Sequence, residues 1–127
     1  PSLGLLTVNA MTASTDVLVP IQCEYYALEG VSQLLTTIRL IQKNLNPSLN
    51  ILGILLTMFD KRVNLSMQVA KEVHRYFKEK VFRSVIPRNI KLTEAPSFGK
   101  PIFLYDIRSP GAMSYLNLGN EVIERSK

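Results

Sequence analysis

The stretch Ile51-Leu-Gly-Ile-Leu-Leu-Thr-Met58 is an almost uninterrupted apolar run in the middle of the chain. Continuous hydrophobicity, without polar residues at alternate positions, is typical of a parallel strand that is covered on both faces. Two shorter runs of the same character lie at residues 17–22 and 81–86, and Pro87 stops the second of them. The sequence therefore predicts three buried strands.

Helical periodicity fills the intervals between these strands. Apolar residues recur at helical spacing from Leu28 to Leu45. Asn46-Pro47 ends this helix, because a residue that precedes proline is pushed out of the helical conformation. Three further helices are predicted, over residues 3–13, 65–79 and 111–125.

For the helices predicted over residues 65–79 and 111–125, the sequence also predicts which face is buried. Asn64 is the predicted N-cap of the 65–79 helix, because its side-chain oxygen can accept from the first backbone N–H groups. The apolar positions predicted to face inward are Val69, Val73, Tyr76 and Phe77 in that helix, and Met113, Leu116, Val122 and Ile123 in the 111–125 helix.

Alternating strands and helices indicate an α/β fold with right-handed crossovers in a doubly wound, mostly parallel sheet. Three strands make a thin sheet that leaves apolar surface uncovered. The chain also opens with Pro1 and no leading strand. We therefore expect residues 1–127 to be the C-terminal portion of a single, larger α/β domain.

Composition excludes several classes of protein. Of the 127 residues, 46% are hydrophobic and 20% are charged, which is a folded globular balance and not that of a disordered chain. The one cysteine, Cys23, excludes a disulfide framework, and His74 has no second ligand at metal-binding spacing. No apolar run is long enough to span a bilayer. We expect a cytoplasmic protein with no metal site of its own.

Charge is spread unevenly along the chain. Residues 1–38 contain three acidic residues and no Lys or Arg, whereas residues 60–100 contain ten basic residues and four acidic ones. A local excess of this kind suits a polyanion such as nucleic acid. It is equally compatible with a solvated helix face.

Three segments, taken together in this order, resemble the ParA/Soj family of chromosome-partitioning ATPases, which have a deviant Walker A motif. They are Pro-Ser-Leu-Gly-Leu-Leu-Thr-Val-Asn-Ala-Met-Thr at 1–12, Pro-Ile-Gln-Cys-Glu-Tyr-Tyr-Ala-Leu-Glu-Gly at 20–30, and Ile-Pro-Arg-Asn-Ile-Lys-Leu-Thr-Glu-Ala-Pro-Ser-Phe-Gly-Lys-Pro at 86–101. The resemblance covers nearly the whole chain. It implies a P-loop NTPase-like fold, of which this chain is the C-terminal half.

The resemblance also implies that ATP and Mg²⁺ are cofactors of the full-length parent, which is an ATPase. The family's phosphate-binding loop lies in its N-terminal half, and these 127 residues contain no Gly-x-x-x-x-Gly-Lys-Ser/Thr pattern. We therefore assign no catalytic residue, and we expect the chain alone neither to hydrolyse ATP nor to bind it tightly.

An adenine pocket is implied where the third strand ends. The family places the turn Pro87-Arg88-Asn89 against the base, with Asn89 able to donate to and accept from the base edge. Thr57, Met58 and Phe59 end the second strand and are placed to cover the other face of the ring. The alternative is an ordinary strand-ending turn, since Pro and Asn are common turn residues.

A DNA-binding patch is implied at the same edge of the sheet. Arg62 follows the second strand and Lys91 follows the third, at places where the family carries basic residues that bind DNA without sequence preference. Lys61, Arg88 and Lys100 could extend this patch. No helix-turn-helix or zinc-finger pattern points to base reading.

A dimer or partner surface is implied by Glu24-Tyr25-Tyr26, which follows the first strand. Tyrosine combines apolar area with a polar tip, which suits a contact surface. The alternative is that one tyrosine packs in the core while the other caps a loop.

The resemblance thus implies part of an ATP-dependent partitioning ATPase. As an ATP-bound homodimer it would hold nucleoid DNA until a ParB/Spo0J-type centromere-binding partner stimulates hydrolysis, with no membrane involved. The alternative is a non-enzymatic DNA- or protein-binding module that retains the basic loops and the partner surface. A glycine-rich loop with two lysines upstream of Pro1 would decide between them.

Overall fold

The computed structural model describes residues 4–24 and 27–127, in which helices and strands alternate along the chain. The elements are α1 (Leu5–Ala13), β1 (Asp16–Gln22), α2 (Ala27–Asn44), β2 (Asn50–Phe59), α3 (Asn64–Phe77), β3 (Val81–Pro87), α4 (Ile90–Glu94), α5 (Ile102–Tyr105) and α6 (Pro110–Arg125). Short 3-10 turns cover Lys78–Lys80 and Ala95–Phe98. The three predicted strands and the four predicted helices are confirmed, and α4 and α5 were not predicted.

The three strands form one parallel sheet in the order β1-β2-β3. The central strand β2 carries the run quoted above, and it is buried from Gly53 to Leu56. β1 is less protected, since Pro20 and Gln22 are exposed. The α/β fold class with a parallel sheet is confirmed.

Helices cover both faces of the sheet. On one face, Ile54 and Leu56 belong to the larger core cluster, which includes Val69 and Val73 of α3 and Ile38 of α2. On the other face, a smaller cluster is built against α6 from Leu55, Phe82, Ile86 and Leu118. The alternation of Ile54, Leu55 and Leu56 between two clusters explains why the centre of β2 is apolar at successive positions.

Helix α3 departs from the prediction at two points. It begins at Asn64, and the N-cap is Val63, which makes no side-chain cap hydrogen bond. Tyr76 was predicted to face inward but is 68% exposed, and its ring meets that of Phe77 in a T-shaped arrangement, with 4.9 Å between ring centroids.

The inward face predicted for α6 is largely wrong. Met113, Leu116 and Ile123 are exposed, and of the four predicted positions Val122 alone packs against the smaller core cluster. The buried positions are Gly111, Ala112, Leu118 and Glu121. Small residues are needed there because a Cβ at Gly111 would lie 2.5 Å from Cγ of Leu92.

A buried polar network joins α6 to the sheet. The Glu121 carboxylate accepts from the backbone N–H groups of Arg83 and Ser84, both at 2.8 Å. Arg125, one turn later, contacts Glu121 at 3.3 Å and lies over the Phe82 ring, 4.1 Å from its centroid. Four backbone carbonyls accept from the Arg125 guanidinium, those of Leu52, Glu79, Lys80 and Val81.

In the part of the chain that the structure describes, none of the helices combines the length and the apolar character required to cross a bilayer.

Candidate functional site

The carboxyl ends of the three strands meet at one edge of the sheet, which is where open α/β sheets bind ligands. Backbone hydrogen bonds continue past the strands at this edge. Cys23 N–H donates to Thr57 O at 2.9 Å, and Arg88 N–H donates to Phe59 O at 3.0 Å. The segments that follow β1 and β3 are therefore both held against the end of β2.

Asp60 and Arg62 form a close ion pair in the loop that follows β2. Arg62 Nη2 donates to Oδ2 of Asp60 at 2.9 Å, and Arg62 Nε donates to Oδ1 at 3.0 Å. These hydrogen bonds and the charge of Arg62 lower the pKa of Asp60 to about 2. The arginine nevertheless remains open to solvent, with 84% of its side chain exposed.

Arg88 forms an ion pair with Glu24, which links the turn after β3 to the segment after β1. Both residues were candidates for contacts outside the chain, Arg88 with DNA and Glu24 with a partner. Each charge thus has an internal partner in this structure. Tyr25 and Tyr26 lie outside the described residues.

Asn89 is held between β3 and α4, where it is the N-cap residue without a side-chain cap hydrogen bond. Its Oδ1 is buried and lacks a hydrogen-bond partner among the described residues. A buried acceptor without a protein partner costs free energy unless a water or another donor reaches it.

The three residues at the end of β2, Thr57, Met58 and Phe59, lie in different environments. Thr57 Oγ1 donates to Ile21 O at 3.3 Å, and Phe59 packs against the larger core cluster. Met58 has a positive φ of 52°, which non-glycine residues rarely adopt, and it lines a cavity of about 260 Å³ together with Cys23 and Arg88. The strand is therefore irregular where it meets the site.

The remaining basic candidates, Lys61, Lys91 and Lys100, differ in whether an acidic side chain pairs with them. Lys91 Nζ lies 3.7 Å from Glu94 and 5.8 Å from the centroid of the Tyr105 ring. Among the described residues, Lys61 and Lys100 have no ion-pair partner within 4 Å. The five candidates therefore comprise three paired and two unpaired cations.

Ser66, in the first turn of α3, is a site residue that sequence reasoning missed. Its Oγ donates to Cys23 O at 2.9 Å and accepts from Asp60 N–H at 3.3 Å, so it ties the loop after β2 to the end of β1. Burial raises the pKa of the neighbouring Cys23 thiol to about 11, which keeps it neutral and unreactive. Residues 4–24 and 27–127 contain no cluster of His, Cys, Asp or Glu that could hold a metal ion.

Comparison with known proteins agrees with the resemblance in the sequence. The sporulation initiation inhibitor protein Soj of Bacillus subtilis is 65% identical over 122 residues, which cover 96% of this chain and 48% of Soj. The chromosome partitioning protein ParA of Myxococcus xanthus is 61% identical over 125 residues, covering 98% of this chain and 44% of that protein. Over nearly its whole length, the chain is thus similar to chromosome-partitioning proteins of the ParA/Soj type.

The chain spans about half the length of the curated relatives it matches. A family model described as an AAA domain matches its residues 1–51. Among solved structures, the chain is similar to cobyrinic acid a,c-diamide synthase from Mycobacterium smegmatis, solved with a bound ATP analogue and magnesium. The two are 35% identical in sequence and superpose with a TM-score of 0.79. The match covers 100% of this chain and 46% of the synthase. The P-loop NTPase-like fold expected for the ParA/Soj family is thus confirmed.

Proposed function

We propose that the chain is part of an ATP-dependent chromosome- or plasmid-partitioning ATPase, and that its carboxyl edge holds the adenine base and presents basic loops to DNA. The hydrogen bond from Arg88 N–H to Phe59 O supports this most directly. It fixes the loop that carries Arg62 beside the turn that carries Asn89, so that one edge serves both ligands.

The residues at this edge fit an adenine base. The partnerless Oδ1 of Asn89 can accept from the exocyclic amino group of adenine, whereas guanine presents a carbonyl oxygen at that position. Pro87 offers an apolar wall beside it. When bound, ATP and Mg²⁺ would supply the phosphoryl group that is hydrolysed, and this chain's residues would bind and orient the base.

Asn89→Ala should weaken ATP binding by about three- to tenfold, the usual effect of one lost hydrogen bond, and should remove the preference for ATP over GTP. NMR titration of both nucleotides into the 127-residue chain measures this even at millimolar affinity. Asn117→Ala, which changes an exposed asparagine on α6, serves as the control. Equal affinity of the unaltered chain for ATP and GTP would contradict the base assignment.

The basic edge, defined as Lys61, Arg62, Arg88, Lys91 and Lys100, is proposed to bind the DNA backbone. Contacts with phosphate require positive charge within reach and carry no sequence information. Among the three paired cations, Arg62 is the most exposed, with 84% of its side chain in solvent against 57% for Arg88 and 46% for Lys91. Binding to unrelated duplexes should therefore be similar in strength.

Arg62→Glu and Lys91→Glu should each weaken duplex binding about tenfold near 0.1 M salt and lower the salt slope by about 0.9 or more, the value for one lost phosphate contact. Fluorescence anisotropy on two unrelated duplexes across a salt series measures both quantities. Arg75→Glu is a matched control, since Arg75 is also an exposed arginine paired with an acid, Glu72, but lies on α3. Equal losses in all variants would mean that only net charge matters.

Dimerisation and partner stimulation complete the proposal. We propose that the parent binds DNA as an ATP-dependent homodimer in the cytoplasm, on the nucleoid, and that a ParB/Spo0J-type partner contacts the surface near Glu24. Two copies of the basic edge on one dimer would raise DNA affinity through avidity. Sedimentation of the parent with and without ATP tests the dimer directly.

A further inference from the structure

Asp60 holds Arg62 in a defined orientation at the basic edge. Besides the two side-chain hydrogen bonds, the backbone N–H of Arg62 donates to Asp60 Oδ1 at 3.0 Å. The Asp60 side chain is only 14% exposed, whereas that of Arg62 is 84% exposed. The carboxylate thus lies behind the guanidinium, on the side of the protein.

The backbone of Asp60 is anchored from the buried side. Asp60 N–H donates to Ser66 Oγ, and Ser66, which is 2% exposed, donates in turn to Cys23 O. This chain of hydrogen bonds runs from the end of β1 to the exposed arginine. Asp60 is therefore a fixed group, unlike a surface acid that happens to meet a flexible arginine.

We propose that Asp60 sets the strength with which the basic edge binds a polyanion, by orienting the Arg62 guanidinium toward solvent while offsetting its charge. The inference rests on the proposed DNA-binding function and names a residue of that site that carries no positive charge. Arginine has five N–H donors, of which Asp60 takes two, so a phosphate can bind the remaining three. A phosphate bound there also lies close to the carboxylate.

The repulsion between phosphate and carboxylate fixes the expected size of the effect. Two like charges about 6 Å apart in water change a binding constant by about threefold. Since the pKa of Asp60 is near 2, the carboxylate stays charged at neutral pH. It therefore offsets the charge of Arg62 to the same extent throughout the neutral pH range. Duplex binding by the chain is thereby kept weak and easily reversed.

Asp60→Asn separates the two roles, because asparagine retains an acceptor oxygen for Arg62 but loses the charge. The variant should bind duplex DNA about threefold more tightly at low salt, with a smaller gain at high salt. Arg62→Gln should bind duplex DNA about tenfold more weakly than the unaltered chain. The double variant Asp60→Asn/Arg62→Gln should recover part of that loss, because no unpaired carboxylate then faces the phosphate.

Glu72→Gln is the matched control, since Glu72 pairs with Arg75 on α3 at 3.4 Å and the substitution changes net charge equally. The proposal is overturned if Asp60→Asn and Glu72→Gln raise the affinity for duplex DNA equally. It is also overturned if Asp60→Asn leaves both that affinity and the melting temperature unchanged. If Asp60→Asn melts at a lower temperature than the unaltered chain, binding is measured at a temperature at which both are folded, and absence of tightening there also overturns the proposal.

Inorganic polyphosphate serves as a second polyanion. Failure of the unaltered chain to bind duplex contradicts the proposed function, and the effect of Asp60→Asn on polyphosphate binding then still tests the inference. Binding of duplex without any difference between the variants refutes the inference alone. The two failures are therefore distinguishable.

Discussion

Replacing Glu121 by alanine is expected to destabilise the chain by about 3–5 kcal/mol, the usual cost of removing one partner from a buried ion pair. The Glu121 side chain is 6% exposed, and its loss leaves two backbone N–H groups of β3 without an acceptor. Arg125 would also lose the carboxylate that neutralises it. Urea unfolding followed by circular dichroism measures the change.

Glu124→Ala supplies the control. Glu124 lies on the same helix and pairs with Arg83 at 3.0 Å, but its side chain is 67% exposed. Exposed pairs of this kind contribute about 0–1 kcal/mol. Similar losses in the two variants would contradict the role that we assign to burial at Glu121.

The same residue predicts how stability depends on pH. Burial alone would raise the pKa of Glu121, but the backbone N–H groups of Arg83 and Ser84, the Ser84 hydroxyl and the charge of Arg125 together lower it. A carboxyl whose pKa is lowered by folding stabilises the protein above its unfolded pKa of about 4.3, and this stabilisation is lost as the pH falls further. Glu121→Gln should therefore show a weaker loss of stability on acidification than the unaltered chain.

Gly53→Ala is expected to cost about 1–3 kcal/mol or more, because an added methyl group cannot be accommodated in β2. A Cβ at this position would lie 2.5 Å from Arg125 Nη1, 2.5 Å from Cε2 of Phe82 and 2.9 Å from Lys80 O. Arg125 could move only by giving up its carbonyl contacts, and Phe82 is fully buried. The midpoint of urea unfolding should fall accordingly.

Gly119→Ala makes the same chemical change where space is free. Gly119 lies within α6 and an added Cβ would meet nothing within 4 Å. Because alanine is a better helix former than glycine by about 1 kcal/mol, this variant should be more stable than the unaltered chain. Destabilisation by both substitutions would show that the loss at Gly53 is not steric.

The strands were predictable because their signal is local. A parallel strand covered on both faces is apolar at nearly every position, and residues 51–58, of which only Thr57 is polar, show this pattern without reference to any other part of the chain. The end of α2 was predictable for the same reason, since the restriction that Pro47 places on its neighbour is a property of two adjacent residues.

The inward face of α6 was not predictable, because it is set by what the helix packs against. Gly111 faces Leu92, and Glu121 is buried because two N–H groups of β3 need an acceptor. Periodicity assigns inward positions by hydrophobicity, and it therefore selected the exposed Met113 and Leu116 and omitted a buried glutamate.

The location of the candidate site was predictable, but the pairing of its charged side chains was not. Strand ends in a parallel sheet meet at one edge, so the loops bearing Arg62 and Asn89 had to be neighbours. That Arg88 pairs with Glu24, and that Ser66 supports Asp60, depends on contacts between residues far apart in sequence. Whether the edge binds adenine and DNA stays a prediction.

The contacts of Arg125 have a consequence for the order of events during synthesis. Its guanidinium meets the carbonyl of Leu52, 73 positions earlier, and that of Val81, 44 positions earlier. On the ribosome, β2 and β3 emerge well before the arginine that satisfies those carbonyls. We therefore expect the sheet to gain the stabilisation that Arg125 supplies only after α6 has left the exit tunnel.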